Sequence, residues 1–251
     1  MSSFAARLAA HEKLIGTIVS LNSAAIAEIV SQCGFDWVFI DAEHGALPID
    51  GIENLVRACA KPALIRIAEK SEKAVKQALE VGAQGIIVPQ VNDAETVAAI
   101  VQYAKYPPDG QRGVGVGRAN NYGMSFSQYL ERANQDTVVV AQIEHIKAVN
   151  NVDEIIATNG LSSILIGPND LAASMNLLGQ TEHPDVVAAI DTVRVACAKT
   201  NMPLGIFHGD PLKAIEYGAS GFSLIACGVD SIVFGNAATE LASQLNDALK
   251  N

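Results

Sequence analysis

The sequence predicts a single (β/α)8 barrel over residues 1–251, and three observations predict it. Eight short apolar runs, mostly rich in Val and Ile, recur along the chain. They do not alternate apolar with polar residues, as expected of parallel strands covered on both faces. Segments with helical periodicity lie between them, and a strand–helix alternation repeated eight times closes into a barrel. An open doubly wound sheet is the alternative, and the count of eight disfavours it. The length of 251 residues, 49% of them hydrophobic, suits one large core.

Taken in order, the runs fall at 15–19, 37–40, 63–67, 85–88, 138–143, 163–166, 204–207 and 222–225. Helical patterns cover 71–81, 93–105 and 185–199, and the segment between the fifth and sixth runs also reads as a helix. Residues 107–125 break the rhythm with Pro107-Pro108-Asp109-Gly110 and Arg112-Gly113-Val114-Gly115-Val116-Gly117-Arg118. No buried strand leads into this stretch and it lacks G-K-[ST], so it is neither a dinucleotide fingerprint nor a phosphate loop. A lid or an interface loop is the preferred reading, with a plain surface excursion as the alternative.

The net charge of −10 argues against nucleic acid or an anionic membrane as partner, since both require a basic face. No apolar run approaches the roughly 20 residues of a membrane span, and the first residues lack an export signal's apolar core. Cys33, Cys59, Cys197 and Cys227 are far apart. They fit reduced thiols in a cytoplasm rather than a zinc cluster.

The chemistry is expected at the C-terminal ends of the strands. Glu144 ends the fifth run and Asp170 follows the sixth in Gly167-Pro168-Asn169-Asp170. Either acid alone would pass for a solvated loop residue. As a pair, each just past a buried strand, they suit Mg2+, Mn2+ or a similar dication. Asp41, Glu43 and His44 follow the second run, and Gln142 shares a strand face with Glu144. Arg66 interrupts the third run, where a guanidinium needs a partner. That partner is either a bound carboxylate or enolate, or a structural carboxylate of the chain. His44 is either a base near neutral pH or a structural histidine. The lysines lie before strands, on helices or in loops, which disfavours a Schiff base. A dication would instead hold a 2-oxo acid and withdraw electrons from its carbonyl, with Arg66 at the enolate oxygen and His44 moving the proton.

The segments Phe35-Asp36-Trp37-Val38-Phe39-Ile40-Asp41-Ala42-Glu43-His44, Arg112-Gly113-Val114-Gly115, Gln142-Ile143-Glu144 and Ile166-Gly167-Pro168-Asn169-Asp170-Leu171 resemble the class II pyruvate aldolases. That family includes the 4-hydroxy-2-oxoheptanedioate and 2-keto-3-deoxy sugar-acid aldolases. The resemblance implies a divalent metal (Mg2+, Mn2+ or Co2+). It implies reversible cleavage of a 4-hydroxy-2-oxo acid to pyruvate, or hydroxypyruvate, and an aldehyde. It also implies a hexamer, a trimer of dimers that exchange the last helix. By position it makes Glu144 and Asp170 the metal ligands, His44 the base and Arg66 the enolate stabiliser. Gln142 and Asn169, with Gly167 and Pro168 beside them, form the substrate site. Glu80 stands where the family usually has an aspartate that raises the basicity of the histidine, and its place far down a helix points to a neighbouring subunit's His44. Asp41 is the alternative within the chain. His145 and His208 depart from the family's pattern.

Two other functions compete. A thioester lyase of the related citrate lyase β-subunit family would need a cationic groove for CoA, and no basic cluster supplies one. A non-catalytic barrel would not need the set Glu144, Asp170, Arg66 and His44.

Overall fold

The computed structural model describes residues 2–250. Eight strands, β1 (Leu14–Val19), β2 (Trp37–Asp41), β3 (Ala63–Arg66), β4 (Gly85–Val88), β5 (Val138–Ile143), β6 (Ser163–Ile166), β7 (Leu204–His208) and β8 (Leu224–Val229), follow one another around a closed barrel. Every neighbouring pair is parallel, and β8 pairs back onto β1. The helices are α1 (Phe4–Ala9), α2 (Ala24–Gln32), α3 (Ile49–Ala58), α4 (Glu72–Glu80), α5 (Ala94–Ala104), α6 (Phe126–Asp136), α7 (Ile146–Asn150), α8 (Val152–Ile156), α9 (Pro168–Ser174), α10 (Pro184–Thr200), α11 (Pro211–Ala219) and α12 (Asp230–Lys250).

Two elements differ from expectation by more than a residue at an end. The last strand starts two residues later than predicted and runs on to Val229. Cys227 and Gly228 hide this extension, since neither continues the Val/Ile signal, and the register against β1 shifts between Gly16 and Ile18. The single helix expected between the fifth and sixth strands is two short ones, α7 and α8, broken at Asn151.

The strand side chains divide between two cores. Leu14, Ile18, Trp37, Phe39, Leu64, Ile87, Val138, Val140, Leu165, Leu224 and Ala226 fill the barrel. Val38, Ile40, Ile65, Ile86, Val139, Ile164 and Ile206 face the helices. Strand periodicity of two forces this division. Phe4 and Leu8 of α1 join the inner cluster from below, with the Phe4 ring 6.4 Å from that of Trp37. Gly16 makes room for that indole, since a Cβ there would collide with the Trp37 ring. Side chains cap several of the outer helices. Ser71 Oγ accepts from Ala74 N at the start of α4, and Asp93 Oδ1 from Thr96 N at the start of α5. Each buried aliphatic side chain contributes about 1.5–3 kcal/mol of apolar burial.

The alternation that fills the barrel also builds its upper rim. Asp41 lies two residues beyond the inward-facing Phe39, Arg66 two beyond Leu64, and Gln142 two beyond Val140. Each is therefore turned inward at the C-terminal end of its strand. α12 behaves differently from the other helices. Asp230 is its buried residue, while Ile232, Val233, Phe234, Leu241 and Leu245 are all more than half exposed.

Candidate active site

The strand ends enclose a cavity of about 350 Å3, at the small end of ligand pockets. Asp41, His44, Arg66, Gln142, Gly167, Pro168, Asn169 and Asp170 line it, so eight of the ten residues expected at the site meet there. Ile18, Phe207 and Val229 form its apolar side, and Ser20 completes the wall. A larger cavity of about 580 Å3 lies beside Pro62, Gln84 and Thr137, which precede β3, β4 and β5. It opens at the other end of the barrel, away from the carboxylates.

Glu144 is buried just past the end of β5. Its Oε1 accepts from the Gln90 backbone N–H at 2.6 Å, and its Oε2 accepts from the Gln142 amide. Gln90 reaches it from the end of β4 in a left-handed conformation, φ 50°, a conformation tolerated where surrounding structure demands it. Burial pushes the Glu144 carboxyl up to about 7, and the charges of Asp170 and Glu43 add to this effect. Gly167 lies close above, where a Cβ would fall 3.0 Å from Glu144 Oε2 and 3.1 Å from Gln142 Nε2. Asp170 is exposed in the first turn of α9.

Arg66 is buried, and its sequence-predicted need for a partner is met within the chain. Nε donates to Asp41 Oδ1 at 2.9 Å and Nη2 to Asp41 Oδ2 at 2.6 Å. Glu43 Oε2 is 3.3 Å from Nε. Burial opposes the guanidinium's charge, but the Asp41 hydrogen bonds and the acid charges more than offset it. Asp41 also accepts from the backbone N–H groups of Glu43 and His44 at 3.1 and 3.2 Å. Its carboxylate thus shapes the turn carrying His44. Glu43 lies beside the ring, with Oε2 3.9 Å from Nε2. The His44 ring itself is 67% exposed at the cavity's mouth.

Glu144 and Asp170 make an oxygen-only donor pair. Among the described residues, no group of three or more His, Cys, Asp or Glu side chains could by itself hold a metal ion. The pair fits a hard dication that takes its other ligands from water or substrate. Gln142 Oε1, which is buried without a hydrogen-bond partner, is a further acceptor beside the pair.

Glu80 stands apart from the cavity. It closes α4, and its Oε1 accepts from Arg112 Nη2 at 2.9 Å. Arg112 is almost fully buried over the Tyr106 ring, 4.7 Å from its centroid. Of the two departing histidines, His145 is exposed and caps α7, its Nδ1 accepting from Lys147 N at 3.0 Å. His208 follows the cavity-lining Phe207 and accepts from Asp210 N at 3.1 Å.

Sequence reasoning did not pick out Gln90, Ser20 or Phe207. Gln90 acts through its backbone N–H, which any residue type could supply. Ser20 and Phe207 gain their place from barrel closure alone. Their position one or two residues from a strand end was the available signal.

A family model for the HpcH/HpaI aldolase/citrate lyase proteins matches residues 14–237. The chain belongs to the HpcH/HpaI family. The chain is 35% identical over 242 residues to a 4-hydroxy-2-oxovalerate aldolase of Novosphingobium aromaticivorans, covering 95% of this chain and 92% of the relative. It is 32% identical over 249 residues to a hydroxypyruvate/pyruvate aldolase of Cupriavidus necator, covering 97% and 92%. Among solved structures, an HpcH/HpaI aldolase/citrate lyase family protein from Burkholderia cenocepacia superposes with a TM-score of 0.92 at 32% identity, covering 96% of this chain and 98% of that one. HpcH/HpaI membership agrees with the expected barrel and with the resemblance carried by the sequence motifs.

Proposed function

We propose that this chain is an aldolase, dependent on a divalent cation, that reversibly cleaves a 4-hydroxy-2-oxo acid to pyruvate, or hydroxypyruvate, and an aldehyde. The observation that carries this reading is the buried Glu144 carboxylate, which accepts from the cavity-lining Gln142 and couples by charge to Asp170 and Arg66, both of which line a cavity that fits a small oxo acid. Glu144 and Asp170 would hold Mg2+, Mn2+ or Co2+, which supplies Lewis-acid polarisation of the 2-oxo carbonyl. Gln142 and Asn169 orient the substrate, with Gly167 and Pro168 shaping the floor. His44 takes the proton of the 4-hydroxyl. The C3–C4 bond then breaks, its electrons forming an enolate across C2 and C3 as the aldehyde carbonyl forms. Arg66 stabilises the enolate oxygen, and His44 returns its proton to C3, which completes the oxo acid and frees the base.

The same reading makes the protein a cytoplasmic oligomer, a hexamer built as a trimer of dimers with exchanged C-terminal helices. Its support is the exposed apolar side chains of α12, Ile232, Val233, Phe234, Leu241 and Leu245, and the exposed Ile29, Leu212 and Ile215 on α2 and α11. Among the described residues no helix is long and apolar enough to cross a membrane.

A thioester lyase is the second reading, and the chemistry of the cavity disfavours it. Among the described residues Arg66 is the one Lys or Arg lining the cavity, and it is already paired with Asp41, so the cavity wall offers no cluster of cations for CoA phosphates. The test is pyruvate release from a panel of 4-hydroxy-2-oxo acids, with and without a chelator, beside a CoA-thioester assay. Chelator-sensitive pyruvate release is expected. Thioester cleavage without pyruvate release would overturn the assignment.

A further inference from the structure

Asp230 carries a buried carboxylate that the reaction above does not use. It is the first residue of α12 and is 6% exposed. Its oxygens accept from Ser20 N at 3.1 Å, Ser20 Oγ at 2.8 Å, Leu21 N at 3.0 Å and Ser231 N at 2.8 Å. A carboxylate that collects so many donors holds them rigidly, since charge-assisted bonds are the strong ones. It ties the start of α12 to the turn after β1, and both ends of that tie are cavity wall, because Ser20 lines the cavity and so does Val229, which precedes Asp230 at the end of β8.

The contact continues to His44. The Ser20 carbonyl lies against Gly45, where a Cβ would come within 2.9 Å of Ser20 O. Gly45 follows His44 directly, and its N–H donates to Asp41 O at 3.2 Å. The His44 turn therefore rests on Asp41 from one side and on Ser20 from the other. Asp41 is fixed by Arg66, and Ser20 is fixed by Asp230.

We propose that Asp230 is a positioning residue that sets the His44 turn through Ser20 and Gly45, coupling the seat of α12 to the catalytic wall. It touches no substrate. Its kinetic consequence rests on the aldolase reading, whereas the mechanical coupling does not.

Asp230→Asn keeps the shape and loses the charge, and Asp230→Ala removes the acceptors altogether. Should the alanine variant not fold, the asparagine variant decides. Amide hydrogen exchange is to be followed in peptides covering 17–23 and 41–48. Faster exchange is expected in both, although Asp230 makes no hydrogen bond to 41–48. Exchange of the pyruvate methyl protons in deuterium oxide should fall roughly tenfold to a hundredfold, with Mn2+ affinity by calorimetry kept within about twofold, because a small displacement of a reacting group is costly while the carboxylate pair is untouched. Amide changes confined to 17–23 and the start of α12 would overturn the proposal. So would loss of Mn2+ affinity together with thermal stability, which marks a merely structural role. If the parent chain itself exchanges no methyl protons, the aldolase reading fails, and the amide exchange at 41–48 still decides the coupling.

Discussion

Asp41 and Arg66 are register partners across β2 and β3, and their side chains close a two-point ion pair at the rim of the barrel. Both side chains are less than 10% exposed, so breaking the pair strands a buried guanidinium. Asp41→Asn should cost about 3 kcal/mol in urea denaturation. A loss below about 1 kcal/mol, the scale of a surface pair, would mean that Glu43 replaces it. The pair also sets an acid dependence. Burial pushes the Asp41 carboxyl up, and the Arg66 hydrogen bonds and charge reverse this to leave it below its ordinary value. Its stabilisation is complete above the unfolded value near pH 4 and disappears as pH falls through the lower, folded value. The parent should therefore lose stability in acid more steeply than the asparagine variant.

Glu144→Gln or Asp170→Asn should abolish cation-dependent turnover and leave the fold intact. Each removes a full charge from an oxygen site while keeping its shape. Turnover within about tenfold of the parent at saturating cation would remove that residue from the site, since a Lewis-acid metal contributes several kcal/mol. In the cation-free chain the Glu144 carboxyl is pushed up to about 7, so it is largely protonated below that pH and ionised above it. Cation binding must displace that proton. Affinity should weaken as pH falls through 7, and calorimetry in buffers of different ionisation enthalpy should detect proton release at pH 6. An affinity flat between pH 6 and 8 would contradict this.

Arg66→Lys keeps the charge and loses the planar fork that engages Asp41 at two points. Exchange of the pyruvate methyl protons, which needs no aldehyde, should drop at least tenfold, about 1.4 kcal/mol of lost enolate stabilisation. Parental exchange rates would take Arg66 out of the reaction and leave it a structural role.

Gly167→Ala tests the packing around the carboxylate pair. Its new methyl would fall 3.0 Å from Glu144 Oε2, tighter than ordinary carbon–oxygen contact, so the carboxylate must shift by a few tenths of an ångström against its bonds to Gln90 and Gln142. The backbone there has φ −104°, which any residue adopts, so the glycine is required for space alone. Cation affinity should weaken while thermal stability changes by little. Unchanged affinity would mean that Glu144 has room to yield.

The barrel was legible because burial on both faces demands apolar residues, and those runs stand out at 85–88 and 138–143. Arg66 and Gln142 were legible because they are polar residues inside such runs. What could not be read were relationships between backbones distant in sequence. The N–H that holds Glu144 comes from Gln90, 54 residues away. Arg66's partner is 25 residues away, and a lone arginine is equally compatible with a ligand. The late start and long extension of β8 depend on a register shift, which leaves no compositional trace.

Glu80 received its expected role from the resemblance, and its contacts add a second one. Its carboxylate holds Arg112, whose Nε and Nη1 are buried without hydrogen-bond partners. Removing Glu80 would leave that guanidinium with the Tyr106 ring face as its chief support, at a cost of about 3 kcal/mol. Arg112 begins the glycine-rich stretch that exposes Val114 and Val116, and the same connection exposes Tyr122 and Met124. Such an apolar loop suits contact with another subunit. Glu80→Ala should therefore loosen the loop and weaken assembly, shifting dissociation to higher protein concentration in sedimentation velocity. Arg112→Leu should do the same, and the double variant should lose no more than either single one, because both break one pair. Additive losses would separate the two residues. Mixing Glu80→Ala with His44→Ala chains addresses the expected shared site. Recovered activity would support Glu80 reaching a neighbour's His44 as well as holding Arg112. With subunit exchange confirmed and both variants inactive alone, no recovery would leave Glu80 with the loop alone.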